Sequence, residues 1–364
     1  MTTDDDLMAR TDGGSTMRRT TLPLAVTAIT AAALLLSGCT PQASTGGGGE
    51  AAGLDTVKVA LVPGGPHPYF QPWIAAADQA KTDFGLGDAT FNETAGWDQT
   101  KENDVINSLV ANGYNAFGVF GVSPTDINST FQNLKQNGIA TAALGSCPAG
   151  DTNDADFCLS TDTEAAAYKA AQATIEAMGG SGVLAHLTGV NVDSNTQRRI
   201  AGVKKAVEET NGAVTLLPDV TDIDTDITTA QKAVADLLAS KGSEITGIVS
   251  TAYNPAVAAA TAVKESGLPI TLVAIDDDET ILAAIEDGSV YATIAQNPTG
   301  QAYVGSYALA KLASKECTMS DPGAIIDSGS FVVTKENVAS YDDERTAASE
   351  QLMKDFDADH LACS

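Results

Sequence analysis

Short apolar runs alternate with longer amphipathic segments along the chain from residue 57 onward. The first run, 57–62, begins with alternating apolar and polar residues and then becomes continuously apolar, which indicates a strand that becomes buried on both faces. Similar runs predict strands at 89–94, 116–121, 140–145, 158–162, 182–187, 214–217, 247–251, 271–276 and 291–296. Helical periodicity and end signals predict helices at 100–112, 124–137, 164–178, 196–209, 227–240, 255–266, 279–286 and 300–314.

The order of these elements predicts the fold class. Strands that alternate with helices over short connections favour parallel sheets covered by helices on both faces. About ten strands are many for one compact sheet. We therefore predict an α/β fold with two doubly wound, Rossmann-like parallel-sheet lobes of similar size. An acidic, helix-prone tail follows residue 335.

The end of the first strand is the first candidate for a binding site. Gly64-Gly65-Pro66 stops the strand, and Pro68 suits the first turn of a following helix that carries Tyr69, Phe70 and Trp73. Ligands of open α/β sheets bind beyond the carboxyl ends of the strands. The neighbouring glycines and prolines favour a cleft-facing role for Tyr69 and Phe70, and burial in the core is the alternative.

Polar side chains follow several other predicted strands. Asp276 and Gln296 each close a strand, Asn254 precedes Pro255 at the start of a helix, and Arg199 lies in the first turns of another. Carboxylate, amide and guanidinium groups that converge with aromatic faces suit a neutral polyhydroxylated ligand.

Each of these residues also has a structural interpretation. Asn254 is a candidate helix cap, Arg199 a candidate surface ion-pair residue, and Asp276 the first of three acids in a turn. His67, at the mouth of the first turn, is interpreted as a hydrogen-bonding or loop residue rather than a catalytic base.

Known catalytic motifs are missing from the sequence. It contains no Gly-x-Ser-x-Gly, no His-Glu-x-x-His, no phosphate loop ending in Gly-Lys-Ser/Thr, and no Gly-x-Gly-x-x-Gly after the first strand. We therefore predict a protein that is not an enzyme and needs no cofactor.

Charge and cysteine content exclude several kinds of binding partner and site. Lys and Arg number 20 against 47 Asp and Glu, a formal net charge of −27, which argues against nucleic acid or an anionic membrane surface as a partner. No Cys-x-x-Cys occurs and the three His are scattered, so no zinc site is predicted.

The N-terminus predicts export. Arg18 and Arg19 precede the apolar run 22–36, which ends in Leu36-Ser37-Gly38-Cys39. This stretch resembles a lipoprotein signal in which Cys39 is lipidated, so we assign residues 1–39 to the signal and 40–55 to a flexible tether. Translation starts at Met1, Met8 or Met17, and the acids before the basic pair favour Met17.

Four cysteines remain once Cys39 is lipidated, an even number that suggests two disulfides in an exported protein. Cys147 and Cys158 bracket a polar segment and are expected to pair, which leaves Cys317 and Cys363 to pair by elimination. Free thiols are the alternative.

Residues 56–335 resemble the periplasmic binding proteins of the ribose-binding type. The resemblance rests on stretches in the same order and at similar spacing along the chain. They are Val59-Ala60-Leu61-Val62 with His67-Pro68-Tyr69-Phe70, Ser123-Pro124-Thr125-Asp126, Arg199-Ile200-Ala201-Gly202, Val273-Ala274-Ile275-Asp276, and Ala292-Thr293-Ile294-Ala295-Gln296.

The resemblance implies two lobes that close on a sugar and are joined by three crossings, near 161–162, 296–297 and 328–329. The N-terminal lobe would comprise 56–161 with 297–328, and the C-terminal lobe 162–296 with 329–335, followed by a tail at 336–364. Tyr69 and Phe70 would stack on the ligand, whereas Arg199, Asp276 and Gln296 would hydrogen-bond to it. His67 stands where the family often has Asn.

Departures from the family pattern point to a different ligand from ribose. Gly145-Ser146 stands where an Asp-Arg pair is common, so Ser146 becomes a candidate contact. The family's Asn aligns with Ala252, with Tyr253 or Asn254 as a candidate substitute, and the aromatic residue expected near 223–225 is absent. The ligand's hydroxyl pattern or size is therefore expected to differ.

The expected function is capture of a monosaccharide or related polyol by a monomeric lipoprotein on the outer face of the cytoplasmic membrane. The partners would be the permease subunits of an ABC importer. A sensor that reports its ligand state to a membrane receptor is the alternative, and an anchored hydrolase is a more distant one. A lactose-repressor-type regulator would need a DNA-binding segment where the export signal stands.

Overall fold

The computed structural model describes residues 53–150 and 152–364, which belong to one compact unit. The predicted signal, Cys39 and most of the predicted tether lie outside the described residues. The end of that tether differs from the prediction, because Leu54–Thr56 form a 3-10 turn whose Leu54 packs on the folded core. Among the described residues, no helix has the length and hydropathy needed to cross a membrane.

Strands and helices alternate through most of the chain. The strands are β1 (Lys58–Val62), β2 (Asp88–Phe91), β3 (Ala116–Val119), β4 (Ala140–Leu144), β5 (Phe157–Ser160), β6 (Gly182–Leu187), β7 (Val214–Leu216), β8 (Gly247–Ser250), β9 (Thr271–Ile275), β10 (Ala292–Gln296), β11 (Cys317–Met319), β12 (Ala324–Asp327), β13 (Ser330–Val333) and β14 (Leu361–Cys363). The helices are α1 (Gln71–Asp83), α2 (Gln99–Ala111), α3 (Ile127–Gln136), α4 (Thr163–Ala177), α5 (Ser194–Glu208), α6 (Ile227–Lys241), α7 (Tyr253–Ser266), α8 (Glu279–Asp287), α9 (Pro298–Ala313) and α10 (Tyr341–Asp355).

Two six-stranded sheets define two lobes. The N-terminal lobe has the strand order β12-β5-β4-β3-β1-β2 and is parallel throughout. The C-terminal lobe has the order β13-β10-β9-β8-β6-β7, and only its edge strand β13 runs antiparallel. The predicted α/β class with two parallel-sheet lobes is therefore confirmed.

Helices cover both faces of each sheet, which explains why the central strands are apolar on both sides. In the N-terminal lobe, Phe70 and Trp73 belong to a core on the α1 and α9 face, and Ile106 and Phe131 to a core on the α2 and α3 face. The C-terminal lobe likewise packs α6, α7 and α8 on one face and α4 and α5 on the other.

The chain passes between the two sheets at three places, after β5, β10 and β12. Polar side chains tie these crossings together. Asn297 Nδ2 donates to the carbonyl of Ser328 at 3.3 Å, and Gln301 Nε2 donates to Ser328 Oγ at 2.9 Å. The Oγ1 of Thr161 and the Oγ of Ser328 are 3.4 Å apart. One buried polar cluster therefore joins all three crossings.

The C-terminal segment, residues 338–363, contacts both lobes. Its start belongs to the C-terminal lobe, where the ring of Tyr341 stacks on Phe331 with centroids 5.9 Å apart. Further on, Ser349 Oγ donates to Asn297 Oδ1 at 2.8 Å. Phe356 is fully buried and lies against Phe157 of the N-terminal lobe, with centroids 5.1 Å apart. The segment is thus a fourth link between the lobes.

Both predicted disulfides are present. Cys147 and Cys158 join with an S–S distance of 1.97 Å, and Cys317 and Cys363 join at 2.08 Å. The second disulfide closes the antiparallel pair of β11 and β14. It therefore attaches the C-terminal segment covalently to the strand that follows α9.

Several predicted boundaries were wrong in detail. Pro68–Phe70 form a 3-10 turn before α1 rather than the first turn of that helix, and Trp73 is fully buried in the core. The helix expected from Pro124 begins at Ile127, because Ser123 Oγ bonds with the Asp126 side chain in a turn of its own.

Candidate ligand-binding site

A cavity of about 380 Å³ lies between the lobes, beyond the carboxyl ends of strands from both sheets. From the N-terminal lobe it is lined by His67, Tyr69, Phe70, Trp97, Phe120, Gly121, Val122, Pro124 and Gly145. From the C-terminal lobe it is lined by Gly189, Val190, Val192, Asp193, Asn195, Arg199, Asp224, Thr225, Asp276 and Gln296. This position is the one at which open α/β sheets bind ligands.

Aromatic rings form the wall of the cavity on the N-terminal lobe. Phe70 packs edge to face against Phe120 with centroids 5.1 Å apart, and Trp97 lies 6.2 Å from Phe120. Glycine is required beside the indole, since a Cβ on Gly65 would lie 2.8 Å from ring atoms of Trp97. The two glycines after β1 therefore accommodate an aromatic ring.

Asp276 occupies a strained position at the end of β9. Its φ of 81° lies in the left-handed region, which is uncommon for a residue with a side chain and is often found at functional sites. Gln296 Nε2 donates to its Oδ1 at 2.6 Å, so the two strand-end residues act as a pair. Burial raises the pKa of Asp276 to about 6, against the opposing effects of Arg199 and Gln296.

Arg199 is held by α5 with its side chain directed into the cavity. Its Nε–H is buried and has no hydrogen-bond partner among the described residues. A buried donor without a partner is costly, and each such group in a native structure requires an explanation. Its place in the lining of the cavity makes a ligand oxygen the natural partner.

His67 bridges the lobes. Its Nδ1 accepts from the backbone N–H of Tyr69 at 3.2 Å, so in the neutral ring the hydrogen lies on Nε2. Nε2 is 3.5 Å from Asp224 Oδ1 in the C-terminal lobe. Asp224 also accepts from the backbone N–H of Asn254 at 2.8 Å. Both ring nitrogens of His67 thus lie near protein atoms, and the Nε2 contact joins the two lobes.

The hydroxyl of Tyr69 also has a protein partner. It donates to Gln301 Oε1 at 2.8 Å, and Gln301 belongs to the polar cluster that joins the three crossings. Burial raises the pKa of the Tyr69 hydroxyl, with Asp276 adding to the shift, so the group remains a protonated donor. Only the ring of Tyr69 is left to contact a ligand.

Eight residues were predicted to bind the ligand, and the structure brings six of them to the cavity: His67, Tyr69, Phe70, Arg199, Asp276 and Gln296. Ser146 and Asn254 lie behind it. Ser146 Oγ is 3.4 Å from Ser194 Oγ of the other lobe, and Asn254 Nδ2 donates to the carbonyl of Asp224 at 2.9 Å. Both therefore support the walls of the cavity instead of lining it.

Sequence reasoning missed several lining residues. Trp97 and Phe120 were not singled out, although Phe120 comes at the end of a predicted strand. Asp193, Asn195 and Asp224 lie in loops or at a helix start, where their pattern resembles ordinary capping. Asn195 Nδ2 in fact donates across the cleft to the carbonyl of Gly145 at 3.0 Å.

A buried carboxyl group lies behind the aromatic wall. Glu102 is fully buried, and its Oε2 accepts from Gln99 Nε2 at 2.8 Å and from the backbone N–H of Val122 at 3.3 Å. Burial raises its pKa to about 7. In the part of the chain that the structure describes, no three His, Cys, Asp or Glu side chains are grouped as around a metal ion.

Two parallel-sheet lobes with a cavity between them and three crossings define a type I periplasmic binding protein. The family model described as a periplasmic binding protein domain matches residues 59–317, and the chain belongs to this family. It is a family of solute-binding proteins rather than of enzymes. A comparison with curated proteins finds no significant match.

Solved structures share the fold over nearly their whole length. A sugar-binding protein of a sugar ABC transporter from Bacillus halodurans is 20% identical, with a TM-score of 0.68 over 78% of this chain and 99% of that chain. A solute-binding protein from Burkholderia graminis in complex with D-arabinose is 21% identical, with a TM-score of 0.69 over 78% and 97%. One from Actinobacillus succinogenes with bound D-allose is 20% identical, with a TM-score of 0.70 over 78% and 100%. At these identities the likeness concerns the fold.

Proposed function

We propose that this protein captures a neutral sugar or polyol between its lobes and delivers it to an ABC importer. The observation that carries the proposal is the buried Nε–H of Arg199, which has no partner in the described part of the chain and lies beside the Asp276–Gln296 pair, opposite an aromatic wall. Hydroxyl groups both donate and accept, and the C–H faces of a sugar ring pack on aromatic rings. The groups in the cavity match both properties.

The size of the cavity supports a small ligand. Its volume of about 380 Å³ is near the lower end of the range of roughly 300–1,000 Å³ that small-molecule sites occupy. The similar structures from Burkholderia graminis and Actinobacillus succinogenes contain D-arabinose and D-allose. We propose Tyr69, Phe70, Arg199, Asp276 and Gln296 as the main ligand contacts.

The ligand carried through native purification tests this function directly. We expect mass spectrometry of the protein, purified without denaturation and then unfolded, to release a neutral sugar or polyol. Incubation with the folded protein should leave that compound unchanged, because no Ser, Cys or Lys is among the described residues that line the cavity. Release of a nucleotide or peptide, or conversion of the compound by the purified protein, would contradict the proposal.

Lipid anchoring at Cys39 is the second part of the proposal. The signal ends in Leu36-Ser37-Gly38-Cys39, and the glycine-rich segment that follows gives reach between an anchor and the folded unit. We expect Cys39→Ser to move the protein from the membrane fraction to the soluble fraction, with Ser37→Ala as a control that keeps the cysteine. Membrane retention of Cys39→Ser equal to that of the native protein would contradict lipidation there.

A protein that delivers its ligand to an importer and a sensor that reports its ligand to a receptor can share the same ligand-binding fold. We propose a monomer that delivers its ligand to permease subunits from the outer face of the cytoplasmic membrane. Genes for a permease and an ATPase beside the gene for this protein would support an importer, whereas a gene for a membrane receptor would support a sensor.

A further inference from the structure

The geometry points to a ligand with one apolar edge, such as a deoxy sugar or an O-methylated polyol, rather than a fully hydroxylated sugar. This inference rests on the proposed function and narrows its substrate class. It follows from the way in which the two walls of the cavity divide polar and apolar groups between them.

The wall on the N-terminal lobe has few free hydrogen-bonding side chains, because the polar atoms of His67 and Tyr69 are bound to the protein. His67 uses both ring nitrogens, one on the backbone of Tyr69 and the other toward Asp224. The Tyr69 hydroxyl is bound to Gln301, at 2.8 Å. The carbonyl of Gly145 accepts from Asn195 Nδ2 at 3.0 Å and from Ser160 Oγ at 2.9 Å.

The side chains that this wall exposes to the cavity are mostly apolar. The rings of Phe70, Phe120 and Trp97 line the cavity, and Val122 and Pro124 continue the apolar surface. Among the described side chains of the wall, the indole N–H of Trp97 is the exception, since it has no protein partner.

The wall on the C-terminal lobe has two parts. Arg199, Asp276 and Gln296 supply donors and acceptors, and the buried Nε–H of Arg199 has no partner among the described residues. Asp193, Asn195, Asp224 and Thr225 are further polar lining residues, although Asp224 already accepts from Asn254 and Asn195 donates to Gly145. The loop after β6 adds Val190 and Val192, and Val192 is 81% exposed although it lines the cavity. The polar side chains available to a ligand therefore lie mainly on the C-terminal lobe.

A ligand hydroxyl directed at the apolar surface would lose its water without gaining a partner. Leaving a buried polar group unpaired is costly, whereas a methyl group at the same place gains from burial. One such exchange in an apolar pocket changes affinity by roughly 10- to 200-fold. The cavity is thus expected to bind a ligand that has a methyl group at this place more tightly than one that has a hydroxyl there.

Matched sugar pairs test this selection. We would titrate the unfolded and refolded, ligand-free protein with L-fucose against L-galactose, L-rhamnose against L-mannose, and methyl α-D-glucopyranoside against D-glucose, using calorimetry. In the pairs that bind, we expect the deoxy or methylated member to bind about tenfold or more tightly. Equal or tighter binding of the hydroxylated member in every pair that binds would overturn the inference and leave the proposed function intact.

Two variants locate the selection on the apolar surface. Phe120→Asn and the isosteric Val190→Thr each place a polar group in the cavity, and we expect either to reduce the ratio of affinities within a pair severalfold. Arg199→Ala should weaken both members of a pair alike and keep the ratio. An unchanged ratio in both polar variants would also overturn the inference, and folded protein that binds no member of any pair would overturn both it and the proposed function.

Discussion

Arg199→Ala is expected to weaken binding of the ligand released on purification by about a hundredfold while the protein remains folded. A hydrogen bond to a charged group contributes roughly 1.5–3 kcal/mol, and about 1.4 kcal/mol corresponds to a tenfold change in affinity. The Nε–H of Arg199 is buried, and the described residues offer it no hydrogen-bond partner, so a contact with the ligand would compensate for its burial. Calorimetry on the ligand-free variant measures the loss.

Arg198 is the matched control. It has the same side chain, is adjacent on α5 and is exposed, so Arg198→Ala should bind the ligand as the native protein does. If Arg199→Ala, folded by circular dichroism, also binds like the native protein, Arg199 is not a ligand contact.

The buried carboxyl group of Asp276 lowers the stability of the ligand-free protein. Burial raises the pKa of Asp276 to about 6 above an ordinary value of 3.8, so the folded state binds protons more readily than the unfolded state does. Stability of the ligand-free protein therefore falls as pH rises between these two values, and the deficit persists at neutral pH. Ligand hydroxyls that donate to the carboxylate would offset this cost, which is the usual balance between stability and function at a binding site.

The largest expected effect on stability comes from the disulfide between Cys317 and Cys363. The two cysteines are 46 residues apart, and in the chain-entropy model the closure of such a loop stabilises the fold by about 4 kcal/mol. We therefore expect Cys317→Ala with Cys363→Ala to lower the free energy of unfolding by about that amount. Alanine avoids a hydroxyl at Cys317, which is buried. Urea unfolding followed by fluorescence measures the change.

Thr318→Ala provides the control for the disulfide variant. Thr318 lies on the same strand, β11, and is exposed, so its replacement should change stability by no more than about 0.5 kcal/mol. A reducing agent should lower the free energy of unfolding of the native protein more than that of the double variant, because the double variant has already lost the Cys317–Cys363 disulfide. A loss below about 1 kcal/mol in the double variant would show that β14 is held by its other contacts.

The sequence predicted the lobes well because their signals are local and repeated. Most strands, like 57–62, are short apolar runs that lie between a glycine-containing or polar turn and a helix with recognisable ends. This pattern depends little on distant residues. Asp276 and Gln296 were predicted for the same reason, since each directly follows a run that reads as a buried strand. Their mutual hydrogen bond, across neighbouring strands β9 and β10, follows from the sheet order.

The remaining parts of the site depend on partners far away in the chain. The hydroxyl of Tyr69 binds Gln301, 232 residues later, so no local pattern shows that only its ring is free. His67 likewise meets Asp224 across the cleft. Trp97 lies in a loop with a φ of 60°, where no periodicity indicates that its ring faces a cavity.

The C-terminal segment has a consequence for the order in which the two lobes fold. Most of the C-terminal lobe comes from one uninterrupted stretch, β6 to β10, whereas the core of the N-terminal lobe unites Val57 with Phe356 and Leu361. Contacts between such distant residues form slowly, because the loop between them must first be closed. The C-terminal lobe can therefore fold early and shorten that loop, and the N-terminal lobe is completed only when the C-terminal segment docks. Until then, the apolar surface around Phe157, which Phe356 covers in the folded protein, stays exposed to solvent and to other chains.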